Sequence, residues 1–337
     1  MPGRPKRKRT DSVSAPEDSK PVITRSTTWM SDGDVILQAE STQFRINKDV
    51  LRRHSPVFES MFSLPLPKDE PTIEGCPVVC VEDSAQDWEL FLETLYDPFK
   101  HTHLWPFNIV AAMLRLGTKY QMESARNNAV SRLRRRYHTT LAGWALTEPI
   151  LTESDEFLPL RVLQLVYECD VQTCIPSVAY ECLEDWTLAE LLDDRILDAT
   201  GQAIVLSPHI KRLLAVGFER LTAVQRRQHL WLGTEDVVPT TTCESKASCI
   251  KRRGPHLQKL LQMAADTQGV DVFRPWTLPK SLCSRCDRAA QAEFNSQRKK
   301  AWEGLPGCFD LPAWSELHDG DKTSNADMDV TVVETGE

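Results

Sequence analysis

The sequence contains no glycine-rich phosphate loop, no Gly-x-Ser-x-Gly elbow and no His-Glu-x-x-His pattern. These motifs place a phosphate cradle, a nucleophile or a pair of zinc ligands, so their absence argues against the enzyme classes that use them. The one close histidine pair, His101 and His103, is expected in a solvated loop and offers too few ligands for a metal. We therefore predict that the protein is not an enzyme.

Long apolar runs are also missing from this sequence. No window approaches the roughly 18 consecutive apolar residues of a membrane span, and no apolar stretch follows the basic N-terminus as in a secretory signal. We expect an intracellular protein that makes no membrane contact. In a reducing compartment the 10 cysteines are expected to be buried thiols or metal ligands, and not disulfides.

The 337-residue chain has a net charge of -8, which argues against general nucleic-acid binding, and this charge is unevenly distributed. We predict a disordered basic tail over residues 1–28 and a disordered acidic tail over 318–337, because neither contains periodic apolar residues. The first tail contains a compact basic run of the kind that nuclear import receptors bind: Lys6, Arg7, Lys8 and Arg9. Import into the nucleus, with some protein also in the cytoplasm, is one interpretation, and a merely solvated tail is the other.

The stretch after the basic tail alternates between strand and helix signals. Val35 to Leu37 is a continuous apolar run typical of a strand covered on both faces, and residues 43–47 alternate as in a half-exposed strand. Five residues between them predict a hairpin. Ser55 and Pro56 then predict an N-cap and first helical position, followed by an apolar helix face that includes Phe58.

A third strand is predicted around Val78 to Val81, and the remaining pattern as far as residue 137 is helical. Strands first and helices afterwards indicate an α+β fold. The order of signals, and not any single motif, carries this assignment. We expect Phe44, Phe58 and Trp88 to meet in one interior.

This segment resembles a BTB/POZ domain over residues 29–138. The family's opening pattern is matched by eight residues: Asp34, Phe44, Ile46, Lys48, Leu51, Ser55, Phe58 and Met61. Where the family usually has a histidine, this sequence has Asn47, so no pH-dependent role is inferred at that position. Leu95 to Pro98 is similar to the turn that ends a helix in the family.

The resemblance implies a module for protein-protein association. It implies that Asp34 and Lys48 form paired charges near the central groove, although an ordinary surface pair is the alternative. It also implies either a homodimer or an adaptor docked on a cullin-type ubiquitin-ligase scaffold. Trp29 is a candidate partner-binding residue because exposed aromatic side chains often anchor interfaces.

The chain after residue 138 is predicted to be mostly α-helical, with a helical region over 139–235. Thr187 and Glu190 form a predicted capping box, and Ser207 with Pro208 predicts the start of a long helix. Three cysteines fall in these helices: Cys169, Cys174 and Cys182. We interpret them as small buried thiols that pack in the core and have no catalytic or metal-binding role. The arginines of residues 132–136 either complement a helix C-terminus or form a phosphate-binding surface.

Four other cysteines are candidate ligands of a structural zinc ion: Cys243, Cys249, Cys283 and Cys286. The second pair has the C-x2-C spacing that directs two sulfurs at one ion, whereas five residues separate the first pair, which is wider than usual. Four reduced structural thiols and a redox C-x2-C are the alternatives. The spacing does not match a C2H2 zinc finger, so direct nucleic-acid binding is not expected.

Residues 240–317 resemble the C-terminal module of an expanded fungal group of BTB proteins. The matching residues are the four cysteines together with Trp302, Leu305, Pro306, Phe309, Leu311, Pro312 and Trp314. This resemblance implies a cysteine-containing helical module and favours the structural zinc. The sequence as a whole therefore predicts a scaffold that self-associates and recruits other proteins, with a cullin adaptor or a transcription regulator as the alternative functions.

Overall fold

The computed structural model describes residues 22–65, 72–98, 100, 105–146, 158–197, 201, 203–266, 269–275 and 282–320. The basic run at residues 6–9 and the histidines at 101 and 103 lie outside these described residues. None of the helices in the described ranges combines the length and the apolar character needed to cross a membrane.

One sheet of five strands opens the described chain. The strands are β1 (Thr24–Trp29), β2 (Val35–Ala39), β3 (Thr42–Ile46), β4 (Thr72–Ile73) and β5 (Cys76–Val81). Their order in the sheet is β1-β3-β2-β5-β4, with β2 antiparallel to β3 and parallel to β5. The α+β prediction is confirmed, because helices follow this sheet and cover it.

The hairpin between β2 and β3 is tighter than predicted. Its turn consists of Glu40 and Ser41 only, since Ala39 already pairs with Thr42. Glu40 takes a φ of 50°, which closes the turn without a glycine. Strand β3 is also more buried than predicted: Gln43 is 4% exposed because β1 and β2 flank β3, and its amide donates to the Gln38 side chain at 2.7 Å.

Two short helices follow the hairpin, α1 (Lys48–His54) and α2 (Pro56–Ser63). The predicted cap of α2 is confirmed, because Ser55 Oγ accepts the Phe58 N–H at 3.1 Å while Pro56 occupies the first turn. The same hydroxyl donates to the Tyr120 carbonyl at 2.6 Å. Ser55 therefore fixes both the start of α2 and its distance from a later helix.

Three longer helices complete this part of the chain: α3 (Ala85–Tyr96), α4 (Phe107–Lys119) and α5 (Glu123–Arg136). Phe44, Phe58 and Trp88 are fully buried in one core, as expected. The Phe58 ring lies 4.7 Å from the Tyr120 ring and 5.9 Å from the Trp88 ring, measured between centroids. Such aromatic contacts stabilise the interior beyond the burial of apolar area alone.

The next part of the chain is helical, as predicted. Its helices are α6 (Leu141–Trp144), α7 (Leu158–Glu168), α8 (Ile175–Asp185), α9 (Leu188–Leu192) and α10 (Pro208–Arg227), with 3-10 turns at Gln172–Cys174 and Leu230–Gly233. The capping box of Thr187 and Glu190 is confirmed at the start of α9. Ser207 caps α10 by accepting the Ile210 N–H at 3.3 Å.

The last helices are α11 (Lys246–Asp266), α12 (Ser284–Glu303) and α13 (Leu305–Cys308). One continuous hydrophobic core includes the sheet, α3 to α10 and the segment from Trp302 to Phe309. The residues from His318 to Gly320, which we predicted to begin the acidic tail, also pack on the fold. Asp319 pairs with Val171 in an isolated β-bridge, and its carboxylate accepts the Thr173 N–H.

Candidate functional site

Asp34 and Lys48 are in contact, but through the backbone. The Asp34 Oδ1 atom accepts the Lys48 N–H at 2.7 Å, and no side-chain ion pair joins these two described residues. Lys48 opens α1, whose preceding residue Asn47 supplies no side-chain cap. The exposed Asp34 carboxylate therefore satisfies an N-terminal donor of α1 from outside the helix. A role of this pair in partner binding stays a prediction.

Trp29 ends strand β1, which lies at an edge of the sheet. Its half-buried ring packs under the Arg25 guanidinium, 4.5 Å from the ring centroid. The hydroxyls of Ser26 and Thr27 each donate to the Glu89 carboxylate of α3 at 2.7 Å. These contacts hold β1 against its own chain, and among the described residues no strand lies on the outer side of β1.

The sheet, the hairpin and helices α1 to α5 make up the part of the chain that matches a known family. Residues 28–136 match the family model of the BTB/POZ domain. This part of the chain is a BTB/POZ domain. BTB/POZ domains are generally interaction modules and not enzymes, so the match supports protein-protein interaction as the coarse function. No curated protein matches the chain.

Outside the BTB/POZ domain, the structure brings the four predicted cysteines together. Their sulfur atoms all lie within 4.8 Å of one another, although up to 43 positions separate them in the sequence. The Cys243 and Cys283 sulfurs are 3.7 Å apart. A zinc ion with four Zn–S bonds of about 2.3 Å needs sulfurs separated by about 3.8 Å, so the donor set fits tetrahedral coordination.

Two helix N-termini point at this cysteine cluster. Cys249 lies in the first turns of α11, Cys283 precedes α12 and Cys286 lies in its first turn. The Thr240 N–H donates to Cys286 Sγ at 3.4 Å, and the Cys283 N–H donates to Cys249 Sγ at 3.5 Å. Helix dipoles and amide donors both favour thiolates, which is the form that binds metals.

The thiols of the cysteine cluster differ in pKa. Backbone hydrogen bonding, first from Cys286, lowers the pKa of the Cys283 thiol to about 6. Burial raises the pKa of Cys249 and Cys286. The cluster thus combines one thiol of low pKa with buried thiols of raised pKa. Binding of a cation would displace the protons that remain on the buried thiols.

Side chains of the helices hold the loop that carries Cys243. Arg285 donates to the Thr242 carbonyl at 2.7 Å, and Arg253 donates to the Val238 carbonyl at 2.9 Å. Val238 is fully buried beside the cluster. Direct side-chain contacts therefore help to hold the loop that carries Cys243 against α11 and α12.

The arginines at the end of α5 contact other parts of the chain. Arg134 pairs with Asp319 at 2.6 Å, Arg136 pairs with Glu181 of α8, and the Arg132 guanidinium lies 3.9 Å from the Trp105 ring centroid. These contacts account for three of the arginines without a bound phosphate. Sequence reasoning missed the partner of Arg134, because Asp319 stands in a stretch with no local signal of structure.

The predicted buried thiols are confirmed. Cys169, Cys174 and Cys182 are each at most 3% exposed. Burial raises the pKa of Cys169 and of Cys174 to about 12, and it also raises that of Cys182. Thiols with raised pKa values are poor nucleophiles at neutral pH, so these residues contribute to packing.

Proposed function

We propose that this protein is a non-enzymatic scaffold whose BTB/POZ domain associates with a second copy of itself and recruits other proteins. The observation that carries this proposal is the edge strand β1 together with the residues that precede it. Val22 is 82% exposed and Ile23 is 53% exposed, immediately before β1 begins at Thr24. An open strand edge with adjacent apolar side chains is a site for pairing with another chain.

Light scattering of the full chain over a range of concentrations tests self-association. We expect a dimer at concentrations of about 10 μM, a range typical of specific interfaces. The double variant Val22→Glu/Ile23→Glu should be monomeric, because each glutamate places a charge in an apolar contact. The matched control is Leu197→Glu/Val205→Glu, which changes similarly exposed residues in the helical region and should remain dimeric. A wild-type chain that stays monomeric to about 100 μM would contradict the proposal.

The same domain is compatible with two other partners, a cullin-type scaffold and the machinery of transcription. Affinity capture of the full chain distinguishes them. Co-purification of a cullin by the monomeric variant as well as the wild type would assign the adaptor function. Retention on duplex DNA with a steep salt dependence would instead assign direct transcriptional regulation.

We further propose that Lys6, Arg7, Lys8 and Arg9 direct the protein to the nucleus by binding an import receptor. A fluorescent fusion of the full chain tests this proposal. Replacing these four residues with alanine should move the fluorescence to the cytoplasm, while alanine at Arg226 and Arg227, at the end of α10, should not. Unchanged nuclear fluorescence in the first variant would contradict it.

For the cysteine cluster we propose a structural zinc ion held by Cys243, Cys249, Cys283 and Cys286. Supporting the proposal are the sulfur separations, the amide donors and the two helix N-termini. With all four thiolates coordinated and no position left for water, the ion would cross-link the loop to α11 and α12 and would not activate a substrate.

Metal analysis of the protein, purified without chelator, tests the zinc proposal. We expect about one zinc per chain, the stoichiometry of a tetrathiolate site. Cys283→Ser should lower the content several-fold, whereas the control Cys80→Ser changes an exposed thiol outside the cluster and should leave it unchanged. A wild-type content below about a tenth of a zinc per chain would contradict the site.

A further inference from the structure

A cavity of about 540 Å³ lies between α6 and α12, outside both the BTB/POZ domain and the cysteine cluster. This volume falls within the range of about 300–1,000 Å³ that small-molecule sites occupy. Its lining includes Leu141, Ala142, Ala145, Arg298, Trp302 and Trp314. Most of the exposed surface of its walls is apolar, although polar and charged side chains such as Asn295 and Glu303 also line it.

The tryptophan side of the cavity is rigid. Trp302 Nε1 donates to the Thr139 carbonyl at 2.9 Å, and Trp314 Nε1 donates to the Trp302 carbonyl at 2.7 Å. The two rings stack with centroids 5.8 Å apart and an interplanar angle of 12°. Trp302 is only 3% exposed, so the half-buried Trp314 presents most of the aromatic surface of this wall, and because its indole N–H is bonded within the chain that surface is apolar.

The α12 side of the cavity also carries a positive charge, four positions before Trp302. Arg298 is half-buried and donates to the Phe273 carbonyl, but no carboxylate within the described residues forms an ion pair with it. Lys299 is already paired with Glu303 at 3.9 Å, four positions along α12. Burial lowers the pKa of Arg298, because a charged guanidinium is less well solvated there than in water. An anion beside this guanidinium would relieve that penalty.

These features select one chemical class of ligand. Apolar walls disfavour inorganic phosphate and sugars, because their polar groups would lose hydrogen bonds to water without replacement. The Arg298 guanidinium, which the nearby Asp271 carboxylate balances only in part, disfavours a cation. We propose that the cavity binds a small, flat apolar molecule with a single carboxylate, an aryl carboxylate, whose ring lies against the tryptophans and whose carboxylate faces Arg298.

Isothermal titration of the full chain with 2-naphthoate tests this proposal, with the uncharged 2-naphthamide as the comparison ligand. We expect naphthoate to bind at one site per chain with a Kd below about 100 μM, and naphthamide to bind about tenfold more weakly, because a hydrogen bond to a charged group is lost. Tryptophan fluorescence of the same samples provides a second readout, since Trp302 and Trp314 lie at the site.

Three variants assign the binding to this cavity. Arg298→Met should weaken naphthoate about tenfold and leave naphthamide unchanged. Ala142→Trp fills the cavity from an exposed position and should abolish binding of both ligands, so it tests the site even where Arg298→Met perturbs the fold. The matched control Arg288→Met, at an exposed position of α12 outside the cavity lining, should bind like the wild type.

Three results would each overturn the proposal. The first is equal affinity for naphthoate and naphthamide, which would mean that Arg298 does not recognise the carboxylate. The second is naphthoate binding that survives Ala142→Trp, and the third is no naphthoate binding up to about 1 mM in both calorimetry and fluorescence.

Discussion

The BTB/POZ domain and the cysteine module achieve order by different means. The domain contains large, fully buried side chains such as Phe44, Phe58 and Trp88 within one continuous core. Around the cysteine cluster, the buried core consists of Val238, Ala290 and two of the thiols themselves, Cys249 and Cys286. Apolar burial stabilises the first region, whereas the second has little of it and, under the zinc proposal, gains its stability from cross-linking by the ion.

Metal removal should have the largest effect and should affect only the cysteine module. Tetrathiolate zinc binding contributes on the order of 10 kcal/mol to the folding of small modules. After treatment with a strong chelator we expect the amides of α11 and the first turn of α12 to exchange rapidly, while those of α4 remain protected. Hydrogen exchange with mass spectrometry measures both regions in one sample. If the amides of α11 and α12 were equally protected before and after chelation, the ion would not be what stabilises the cysteine module.

Phe58→Ala should destabilise the BTB/POZ domain by about 3–5 kcal/mol, the cost of removing a fully buried aromatic ring. Urea unfolding followed by circular dichroism measures this loss. The control is Phe62→Ala, which removes a partly exposed ring stacked 5.6 Å from Phe58 and should cost less than half as much. Equal losses would show that burial does not set the stability of the domain.

Asp319→Asn tests the junction between the chain end and α5. The Asp319 side chain is 4% exposed, pairs with Arg134 and accepts the Thr173 N–H at 2.9 Å. Removing its charge should cost about 1.5–3 kcal/mol, the value of a hydrogen bond between charged groups. Asp310→Asn, which breaks an exposed pair with Arg220, is the control and should cost at most about 1 kcal/mol in the same urea experiment.

The pH dependence of stability should include a contribution from His229. Burial beside Phe294 lowers the pKa of His229 to about 4, from 6.5. The unfolded chain therefore takes up this proton first, so the contribution is fully present above about pH 6.5 and is lost as the pH falls toward 4.

His229→Phe removes this titration while keeping an aromatic ring against Phe294. The wild type should lose about 2 kcal/mol more than the variant between about pH 7.5 and pH 4.5. Thermal unfolding at each pH measures the difference, and acid effects on the cysteines cancel because both proteins share them. Parallel pH profiles would contradict the assignment.

The smallest effect is expected at Lys48. Because Asp34 contacts the Lys48 amide and not its ammonium group, Lys48→Met should change the free energy of unfolding by at most about 1 kcal/mol. Asp34→Ala removes the carboxylate that accepts the Lys48 N–H at the start of α1, and should lower the free energy of unfolding by about 1 kcal/mol or more. Urea unfolding in which Lys48→Met is the more damaging change would show that the ammonium group forms a buried ion pair.

Signals that act within one turn of helix predicted the structure well. The caps at Ser55, Thr187 and Ser207 were all readable, because the residue that accepts the hydrogen bond lies three positions from the donor. The four cysteines were chosen as one set because their chemistry is distinctive, and the structure brings them together. Their bound ion stays a prediction.

Features that depend on distant partners could not be read from the sequence. Helix α1 is not capped by the side chain of a neighbouring residue, because its N-terminal partner, Asp34, lies 14 positions earlier. The two-residue hairpin depends on Glu40 adopting a positive φ, which few residues other than glycine adopt and which pattern alone does not indicate. The ordered position of Asp319 depends on Thr173, 146 positions away.

The contact between Arg126 and the Gly320 carbonyl, at 2.6 Å, joins residues 194 positions apart. During synthesis Arg126 and the rest of α5 leave the ribosome long before this partner exists. At translation rates of about 5–20 residues per second, the nascent BTB/POZ domain waits on the order of 10 seconds or more with this guanidinium lacking its final acceptor. Any early assembly with another subunit therefore engages a domain whose final helix is not yet locked by the far end of its own chain.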